Sequence, residues 1–436
     1  FRKGSMGKMG KIYPAAFLHL DRLGRYCFSD RSNHTMGPFL NLEKGTRSIN
    51  VIQGQERTPN EKIVCSRRYL QSVPVVDLSM FRHYEASEAF AMMLRRFNIG
   101  IIGYGNLGRA AVRLLNLKRR VFEEEGLDLV LTCVLGRRGG VLNLEGLDCE
   151  TLLQNTERSR LDHALGFDAG LTFHHMIGEK AANIVLEFTP TNQETGEPGL
   201  THIQECLAAG VHVATGNKGP VLTAWPKLSA LAREKKLLLG ISATTGGALP
   251  TLLNGRDAMS GSTVLLIEGI LNGTTNFILE RMEQGNAYEE ALKEAQSLGI
   301  AEANPSKDVE GWDTAIKLLI MARIIMGVDL QLKDIPVSGI AGLSAEAVRL
   351  ARDKGRRIKL IGRAWREGSA VCAEVAPCAI GPDNPLYNVR GKDKAARYVS
   401  DTMGELFISG GASDPQAAAA AALRDVINAW RSGILR

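Results

Sequence analysis

The feature that most limits the possible folds is a glycine pattern between an apolar stretch and an amphipathic one. Residues 97–102 are predicted to form a buried strand and residues 107–123 a helix, with Gly103-x-Gly105-x-x-Gly108 between them. In that context the glycines permit a tight turn, close approach of a pyrophosphate, and close packing of helix on strand. The start of the helix also offers free N–H groups to phosphate. The pattern predicts a dinucleotide site, although a tight turn without a ligand would have the same sequence.

Strand and helix patterns alternate from this point to about residue 245. Apolar runs typical of buried strands lie at residues 127–135, 182–188, 211–215 and 236–242. Helical patterns lie at residues 200–209 and 226–235. Such alternation is typical of a parallel sheet with helices on both faces. We therefore predict an α/β fold, in which a Rossmann-type doubly wound nucleotide-binding domain occupies residues 96–245.

The pattern changes after residue 246. Strands are predicted at residues 264–270, 358–364, 371–377 and 405–409. Helices are predicted at residues 275–283, 287–298, 311–326 and 416–430. This order favours an α+β domain with a mixed or antiparallel sheet over residues 246–407. Residues 1–95 show no lasting period, so we expect an irregular or disordered N-terminal extension, or alternatively an irregular small domain.

Charge and cysteine content exclude several classes of function. Residues 1–90 hold 14 basic and 8 acidic residues, which accounts for the whole net charge of +6, and the rest of the chain holds 39 of each. The bulk of the chain therefore has no bias toward nucleic acid. The seven cysteines form no CxxC pair, which argues against disulfides or structural zinc and favours the cytoplasm. No apolar run reaches the roughly 18 residues of a membrane helix, so no membrane partner is expected.

The end of the second predicted strand bears on the choice of cofactor. An NAD-specific site usually has Asp or Glu there, to bind the ribose 2′-OH. This chain has Gly136-Arg137-Arg138 instead. Guanidinium groups suit a 2′-phosphate, so NADP is favoured over NAD. The alternative is that both arginines are solvated loop charges.

Charged side chains suited to catalysis occur in the second half of the chain. Lys218 follows a predicted strand, at the edge of the sheet where ligands bind, although surface lysines are common. Asp313 and Lys317 are four residues apart on an otherwise apolar helix, and Glu302 and Asp308 lie in the loop before it. Three carboxylates near one amine favour an amino-acid ligand and a proton donor. The alternative is a solvated salt bridge, which the apolar surroundings make less favourable.

With these residues identified, the chain resembles the homoserine dehydrogenase family from about residue 97 to its end. The motifs that carry the resemblance are TPTNQETGEP, ATTGGALPT, GILNGTTNFILERM, AEANPSKDVEGWDTAIKL and MGELFISGGA. The resemblance implies reversible NAD(P)-dependent hydride transfer between L-homoserine and L-aspartate 4-semialdehyde. It also implies a homodimer in threonine, methionine and isoleucine biosynthesis, in which residues 246–407 form the substrate-binding, catalytic and dimerisation domain.

The resemblance also implies roles for individual residues. Lys317 would donate the proton to the carbonyl, Asp313 would be its partner, and Lys218 would lie beside the substrate and the nicotinamide. Glu302 and Asp308 would hold the substrate amino group or shape its pocket. The other implied substrate contacts are Gly273 and Thr275. The implied cofactor contacts are Gly103, Gly105, Asn106, Leu107, Gly108, Arg137, Arg138, Thr189, Pro190, Lys218 and Gly411.

Some features depart from the family pattern. Many relatives have Glu near a monovalent cation where this chain has Ser242, so cation binding is doubtful and no metal ligand is assigned. Ser413 stands where relatives often have Gly, and neither an ACT domain nor a fused aspartate kinase is expected. In the family the C-terminal helix returns to the nucleotide domain, which implies that residues 408–436 complete it.

Two other functions compete with this one. The first is an oxidoreductase of the same framework that acts on another small aldehyde. The second is a non-catalytic paralogue that binds nucleotide. Because Lys218, Asp313 and Lys317 are all present, the second is disfavoured. Glu302 and Asp308 suit a ligand ammonium and disfavour the first.

Overall fold

The computed structural model describes residues 94–156 and 160–436, together with four short strands nearer the N-terminus. Two sheets organise the two longer ranges. The chain divides into two compact units, residues 1–79 and 80–436. In the first unit the strands are antiparallel neighbours in chain order: β1 (Phe17–Leu20), β2 (Tyr26–Ser29), β3 (Phe39–Asn41) and β4 (Asn50–Ile52). The predicted irregular extension over residues 1–95 otherwise lies outside the described residues.

The first sheet of the second unit has six strands in the order β10-β9-β8-β5-β6-β7. Its strands are β5 (Arg95–Ile102), β6 (Leu127–Gly136), β7 (Gly139–Leu142), β8 (Ile184–Glu187), β9 (His212–Thr215) and β10 (Leu239–Gly240). All neighbours are parallel except β7, which is antiparallel to β6. The helices of this part are α1 (Asn106–Leu117), α2 (Arg119–Glu124), α3 (Cys149–Asn155), α4 (Phe173–Gly178), α5 (Gly199–Ala208) and α6 (Lys218–Lys235).

Helices cover both faces of this sheet. Leu115 of α1 packs in one apolar cluster with Ile99 of β5, and Ile203 of α5 packs in another with Val213 of β9. The strands are therefore buried on both faces, as their continuous apolar runs require. The structure confirms the predicted doubly wound α/β architecture.

Two element predictions in this region were wrong. The strand expected over residues 236–242 is only Leu239–Gly240, because Ser242 already begins a 3-10 turn. The helix expected to start at Pro226 starts at Lys218, where the Asn217 side chain accepts a hydrogen bond from the N–H of Gly219. Pro226 follows a kink at Ala224 within the helix. A proline suits the first turn of a helix, which made this internal site resemble a helix start.

The second sheet is antiparallel throughout, in the order β13-β12-β11-β14-β15. Its strands are β11 (Val264–Ile270), β12 (Arg357–Glu367), β13 (Ala370–Ile380), β14 (Lys394–Ser400) and β15 (Glu405–Gly410). Its helices are α7 (Thr251–Leu253), α8 (Gly273–Glu283), α9 (Tyr288–Ser297), α10 (Ser306–Val309), α11 (Trp312–Met321) and α12 (Ala345–Asp353). Leu279 of α8 and Leu319 of α11 pack with Ile267 of β11 in one core, on one face of the sheet. The predicted antiparallel sheet is confirmed.

The last helix, α13 (Pro415–Arg431), packs against α1 of the first sheet's domain. Ala419 and Ala422 lie in the same apolar cluster as α1, and their small side chains permit close approach. Because β15 extends to Gly410 in the second sheet, the segment that leads to α13 begins after Gly410 rather than at residue 408.

A buried carboxylate joins α13 to the end of the first sheet. Asp425 accepts hydrogen bonds from the N–H of Ser242 at 2.9 Å and from its Oγ at 2.6 Å. A Cβ at Gly240 would lie 2.7 Å from the Cβ of Asp425, so the end of β10 requires glycine here. The position of α13 thus depends on a short polar contact within an apolar interface.

We predict that Asp425→Ala lowers the free energy of unfolding by about 1–3 kcal/mol, because Ser242 would keep two buried donors without an acceptor. Urea unfolding followed by circular dichroism measures the change. Asp353→Ala, at an exposed position of α12, is the control and should change stability by less than about 0.5 kcal/mol. Equal stability of Asp425→Ala and the parent would contradict the prediction.

Candidate active site

The three glycines at the turn between β5 and α1 have different structural roles. Gly103 has a φ of +99°, and a Cβ there would lie 2.5 Å from the carbonyl oxygen of Phe188. A Cβ at Gly108 would lie 2.2 Å from the carbonyl oxygen of Gly103. A Cβ at Gly105, in contrast, would meet no atom within 4 Å. The first and third glycines are thus required by packing, whereas the backbone at the second faces open space.

The start of α1 suits a phosphate group. Gly105 is the capping residue, so no side chain caps the helix, and its first turn contains no acidic residue. The first N–H groups of a helix have no partner within the helix, and they carry a partial positive charge. Asn106 and Leu107 therefore present backbone donors beside the open space at Gly105. These features fit the pyrophosphate of a dinucleotide.

A buried carboxylate at the end of β8 connects the strand ends beside this turn. Glu187 accepts hydrogen bonds from the N–H of Thr189 at 3.1 Å and from the Thr215 hydroxyl at 2.9 Å. Asn217 donates to the Thr189 hydroxyl at 3.2 Å, and Thr189 precedes Pro190 in the loop after β8. Glu187 was not predicted. The sequence feature that could have revealed it is a carboxylate at the end of an otherwise apolar strand.

Three of the expected catalytic residues come together around one carboxylate. The Nζ of Lys317 lies 2.6 Å from Oδ2 of Asp313, and the Nζ of Lys218 lies 3.7 Å from Oδ1. Lys317 also donates to the carbonyl oxygen of Leu271 at 2.9 Å. Lys218 is the first residue of α6, two residues after Gly216. A Cβ at Gly216 would lie 2.7 Å from Leu107 in the first turn of α1. The cluster of Lys218, Asp313 and Lys317 therefore lies next to the turn between β5 and α1.

Asn272 organises the carboxylates of this cluster. Its amide nitrogen donates to Oδ1 of Asp308 at 2.8 Å and to Oδ2 of Asp313 at 3.0 Å. Its amide oxygen accepts from the N–H of Thr275 at 3.0 Å and so caps α8. A Cβ at Gly273 would lie 2.4 Å from the carbonyl oxygen of Lys392, so this glycine is required by packing. Asn272 was not predicted, although it precedes the helix as a capping Asn usually does.

The two linked carboxylates have opposite pKa shifts. Burial alone would raise the pKa of Asp313, but the charges of Lys317 and Lys218 and the hydrogen bonds outweigh it and hold this pKa well below its usual range. Burial, together with the charge of Asp313, raises the pKa of Asp308. Asp313 is thus a permanent anion between two ammonium groups, whereas Asp308 takes up a proton more readily.

Other expected site residues lie elsewhere in the structure. Glu302 is exposed, and within the described ranges its carboxylate makes no hydrogen bond or ion pair. Arg137 and Arg138 are exposed in the two-residue turn between β6 and β7, and Arg138 lies 3.4 Å from Asp162. Gly411 packs tightly, since a Cβ there would lie 2.6 Å from the backbone nitrogen of Leu249.

Comparison with known proteins identifies the family. A family model described as homoserine dehydrogenase matches residues 250–427. A homoserine dehydrogenase from Methanocaldococcus jannaschii is 35% identical over 77% of this chain and 99% of its own length. The chain belongs to the homoserine dehydrogenase family. An NAD(+)-dependent homoserine dehydrogenase from Pseudomonas canavaninivorans is 32% identical over 78% of this chain and 97% of its own length.

Solved structures agree with this assignment. A crystal structure described as a putative homoserine dehydrogenase from Archaeoglobus fulgidus has a TM-score of 0.70 and 31% identity, and it covers 77% of this chain and 99% of its own. Membership of the homoserine dehydrogenase family confirms the predicted family and the predicted class, an NAD(P)-dependent oxidoreductase acting on a CH–OH group. Among the described residues, no helix has both the length and the apolarity needed to cross a membrane.

Proposed function

We propose that this chain interconverts L-homoserine and L-aspartate 4-semialdehyde, with Lys317 as the proton donor. The observation that carries the proposal is the pairing of Lys317 with the half-buried Asp313, beside the open turn at Gly105. When bound, the nicotinamide supplies or accepts the hydride. The open backbone at Gly105 and the first N–H groups of α1 would hold its pyrophosphate.

The chemistry of the Lys317 ammonium follows from its contacts. An ammonium group has three N–H donors. One faces Asp313 and a second faces the carbonyl oxygen of Leu271, which leaves one for a substrate oxygen. In the reducing direction negative charge grows on the carbonyl oxygen, and this donor both stabilises the charge and delivers the proton. Asp313 keeps the group oriented.

The substrate amino group is assigned to the opposite side of the cluster. Asp308 is held by Asn272 and has no lysine in contact among the described residues, so it retains acceptor capacity for a ligand ammonium. Glu302 lies in the loop that leads to α10, and we propose that it adds negative charge at the entrance. We propose that the start of α8, where Gly273 and Thr275 lie, attracts the substrate carboxylate through the partial positive charge of the helix, since the N–H of Thr275 is already bound by Asn272.

We predict that Lys317→Ala lowers kcat by about 10²- to 10⁴-fold, the usual effect of losing a general acid. KM should change less, because the proton moves only in the transition state. Steady-state oxidation of L-homoserine measures both constants, and NADP⁺ binding by fluorescence should stay near the parent value.

The matched control is Lys307→Ala, an exposed lysine on the neighbouring α10, which should keep the parent kcat. If Lys317→Ala keeps kcat within a few-fold of the parent, Lys317 is only an ion-pair partner of Asp313. Lys218, the other ammonium at this carboxylate, would then become the candidate acid.

NADP is proposed as the preferred cofactor. Arg137 and Arg138 form an exposed turn at the end of β6, and in the described part of the chain Arg137 has no ion-pair partner. Arg138 shares Asp162 with Arg160, so its charge is partly neutralised. Arg137 is therefore the better candidate for a 2′-phosphate. The Pseudomonas canavaninivorans relative is named as NAD(+)-dependent, so preference within the family must be tested chain by chain.

We predict that Arg137→Ala with Arg138→Ala weakens NADP⁺ binding by at least about tenfold, since each charge-assisted hydrogen bond to an anion contributes roughly 1.5–3 kcal/mol. NAD⁺ binding should be nearly unchanged. Isothermal titration with both cofactors measures the effect, and Arg113→Ala on the exposed side of α1 is the control. An equal loss for both cofactors would rule out the 2′-phosphate contact.

A cytoplasmic homodimer is proposed, with the face of the second sheet that carries Glu268 as its interface. Glu268 joins Arg363 at 2.9 Å and Arg397 at 3.3 Å across the middle three strands of that face. The next row holds three half-buried apolar side chains that are register neighbours, namely Leu266, Trp365 and Val399. A row of apolar side chains beside these ion pairs suits contact with a second copy of the chain.

We predict that light scattering after gel filtration gives twice the chain mass of 47.3 kDa and that Leu266→Lys shifts the protein toward monomer. The new charge would have to be desolvated in the interface. Leu350→Lys, at an exposed leucine of α12, should leave the dimer intact. A monomeric parent protein would contradict the proposal.

A further inference from the structure

The loop from Ser242 to Pro250, here called the glycine loop, is the segment where the family resemblance implies a monovalent cation. Hard cations are held by oxygen atoms, commonly carboxylates and backbone carbonyls. The carboxylate position of the family pattern is Ser242 in this chain. Among the described residues, no group of three or more Asp, Glu, His or Cys is placed to hold a metal ion. The remaining question is what the oxygens of this loop contact.

Ser242 is already committed to another partner. Its hydroxyl donates to Asp425 at 2.6 Å and its N–H donates to the other carboxylate oxygen at 2.9 Å. Asp425 is buried and belongs to α13, where it anchors the helix. The acid and the serine thus satisfy each other within the protein.

Two carbonyl oxygens of the glycine loop accept hydrogen bonds from cationic side chains. Gly246 accepts from the Nζ of Lys394, and Ala248 accepts from Nη1 of Arg424 at 3.1 Å. A Cβ at Gly247 would lie 3.4 Å from the same Nζ, so the Lys394 ammonium lies directly against the loop. A free cation at these two oxygens would meet two positive charges, so the Gly246 and Ala248 carbonyls do not fit a monovalent ion.

Lys394 is unusual for a residue of a β-strand. It is only 4% exposed and is the first residue of β14, with its charge facing the glycine loop. Burial, together with the charge of Lys317, lowers its pKa to about 8, so the ammonium is still the main form at pH 7. A buried ammonium is costly unless it has partners, so Lys394 depends on the loop oxygens that it contacts.

We propose that the Lys394 ammonium takes the place of a monovalent cation at the glycine loop, so that this chain needs no such ion. Lys394 is a positioning residue. It holds the loop at Gly246, and Gly411 packs against Leu249 of the same loop. The activity readout below rests on the proposed function, whereas the stability and binding readouts do not.

The first test compares the parent protein in NaCl, KCl and choline chloride at equal ionic strength. We expect Tm to agree within about 1 °C, and ²³Na NMR line widths to show no saturable binding. The kcat for L-homoserine should also be the same in all three salts. Saturable ²³Na broadening, or a saturable rise of Tm with Na⁺ or K⁺, would overturn the proposal.

The second test uses Lys394→Met, which keeps the length of the side chain but removes its charge. In choline chloride we expect Tm to fall by at least about 3 °C, because the Gly246 carbonyl loses its donor. Na⁺ or K⁺ should restore part of the Tm and part of kcat. A variant that ignores these ions would show that the loop cannot use a cation, and the proposal would be wrong.

Two further variants make the outcome specific. Lys359→Met removes the other buried lysine of this sheet, whose Nζ donates to Asn276 at 2.8 Å and Val389 at 2.7 Å, away from the glycine loop. It should lose stability but gain no response to Na⁺ or K⁺. Lys394→Arg keeps the charge and should remain independent of both ions. If Lys394→Met does not fold, the parent ²³Na result and Lys394→Arg still decide the matter. If the parent does not oxidise L-homoserine, only the proposed function fails.

Discussion

The ionised carboxylate of Asp313 is the interaction on which the site depends. It is the shared partner of Lys317, one turn further along α11, and of Lys218, at the start of α6. These helices pack on different sheets, so a single half-buried anion links the domain that contains Gly105 to the domain that contains Asp308. Without that anion the two ammonium groups would face each other with no shared counter-charge. The geometry of the site therefore follows from one side chain.

The anion can stay ionised because its neighbours supply hydrogen bonds as well as charge. Asn272 donates to both Asp313 and Asp308, and the same side chain caps α8. The cap of α8 and the positions of the two carboxylates consequently depend on the same side chain. Glu187 does the equivalent at the first sheet, where it fixes Thr189 and Thr215 at neighbouring strand ends. In both places a single polar side chain with two or more partners sets the relative position of two segments.

Local patterns predicted the elements that have strong periods and missed those defined by distant partners. The four-residue spacing of Asp313 and Lys317, and the position of Lys218 after an apolar strand, are visible in the sequence because helix and sheet geometry act locally. The partners of Asn272 are Asp308 and Asp313, which lie 36 and 41 residues away, and the partner of Ser242 lies 183 residues away. No local pattern contains pairs so far apart. The strand β14 was missed for a related reason. It begins with Lys394, a charge whose burial depends on the glycine loop 148 residues earlier.

The three buried or half-buried lysines of the second domain show how the partner determines what an ammonium can do. Lys317 faces a carboxylate at 2.6 Å and keeps one donor for a ligand, which suits proton transfer. Lys359 is held by an amide and a carbonyl oxygen, and burial lowers its pKa to about 8. Lys394 is held by a carbonyl oxygen of the glycine loop, with a similar pKa. Carbonyl dipoles stabilise an ammonium less than a carboxylate does, so burial dominates at Lys359 and Lys394. A lysine bound to carbonyls is chemically closest to a bound alkali ion, since both are single positive charges held by backbone oxygens. That equivalence allows the chain to replace the acidic residue of the family pattern with Ser242 and still keep a cation at the loop.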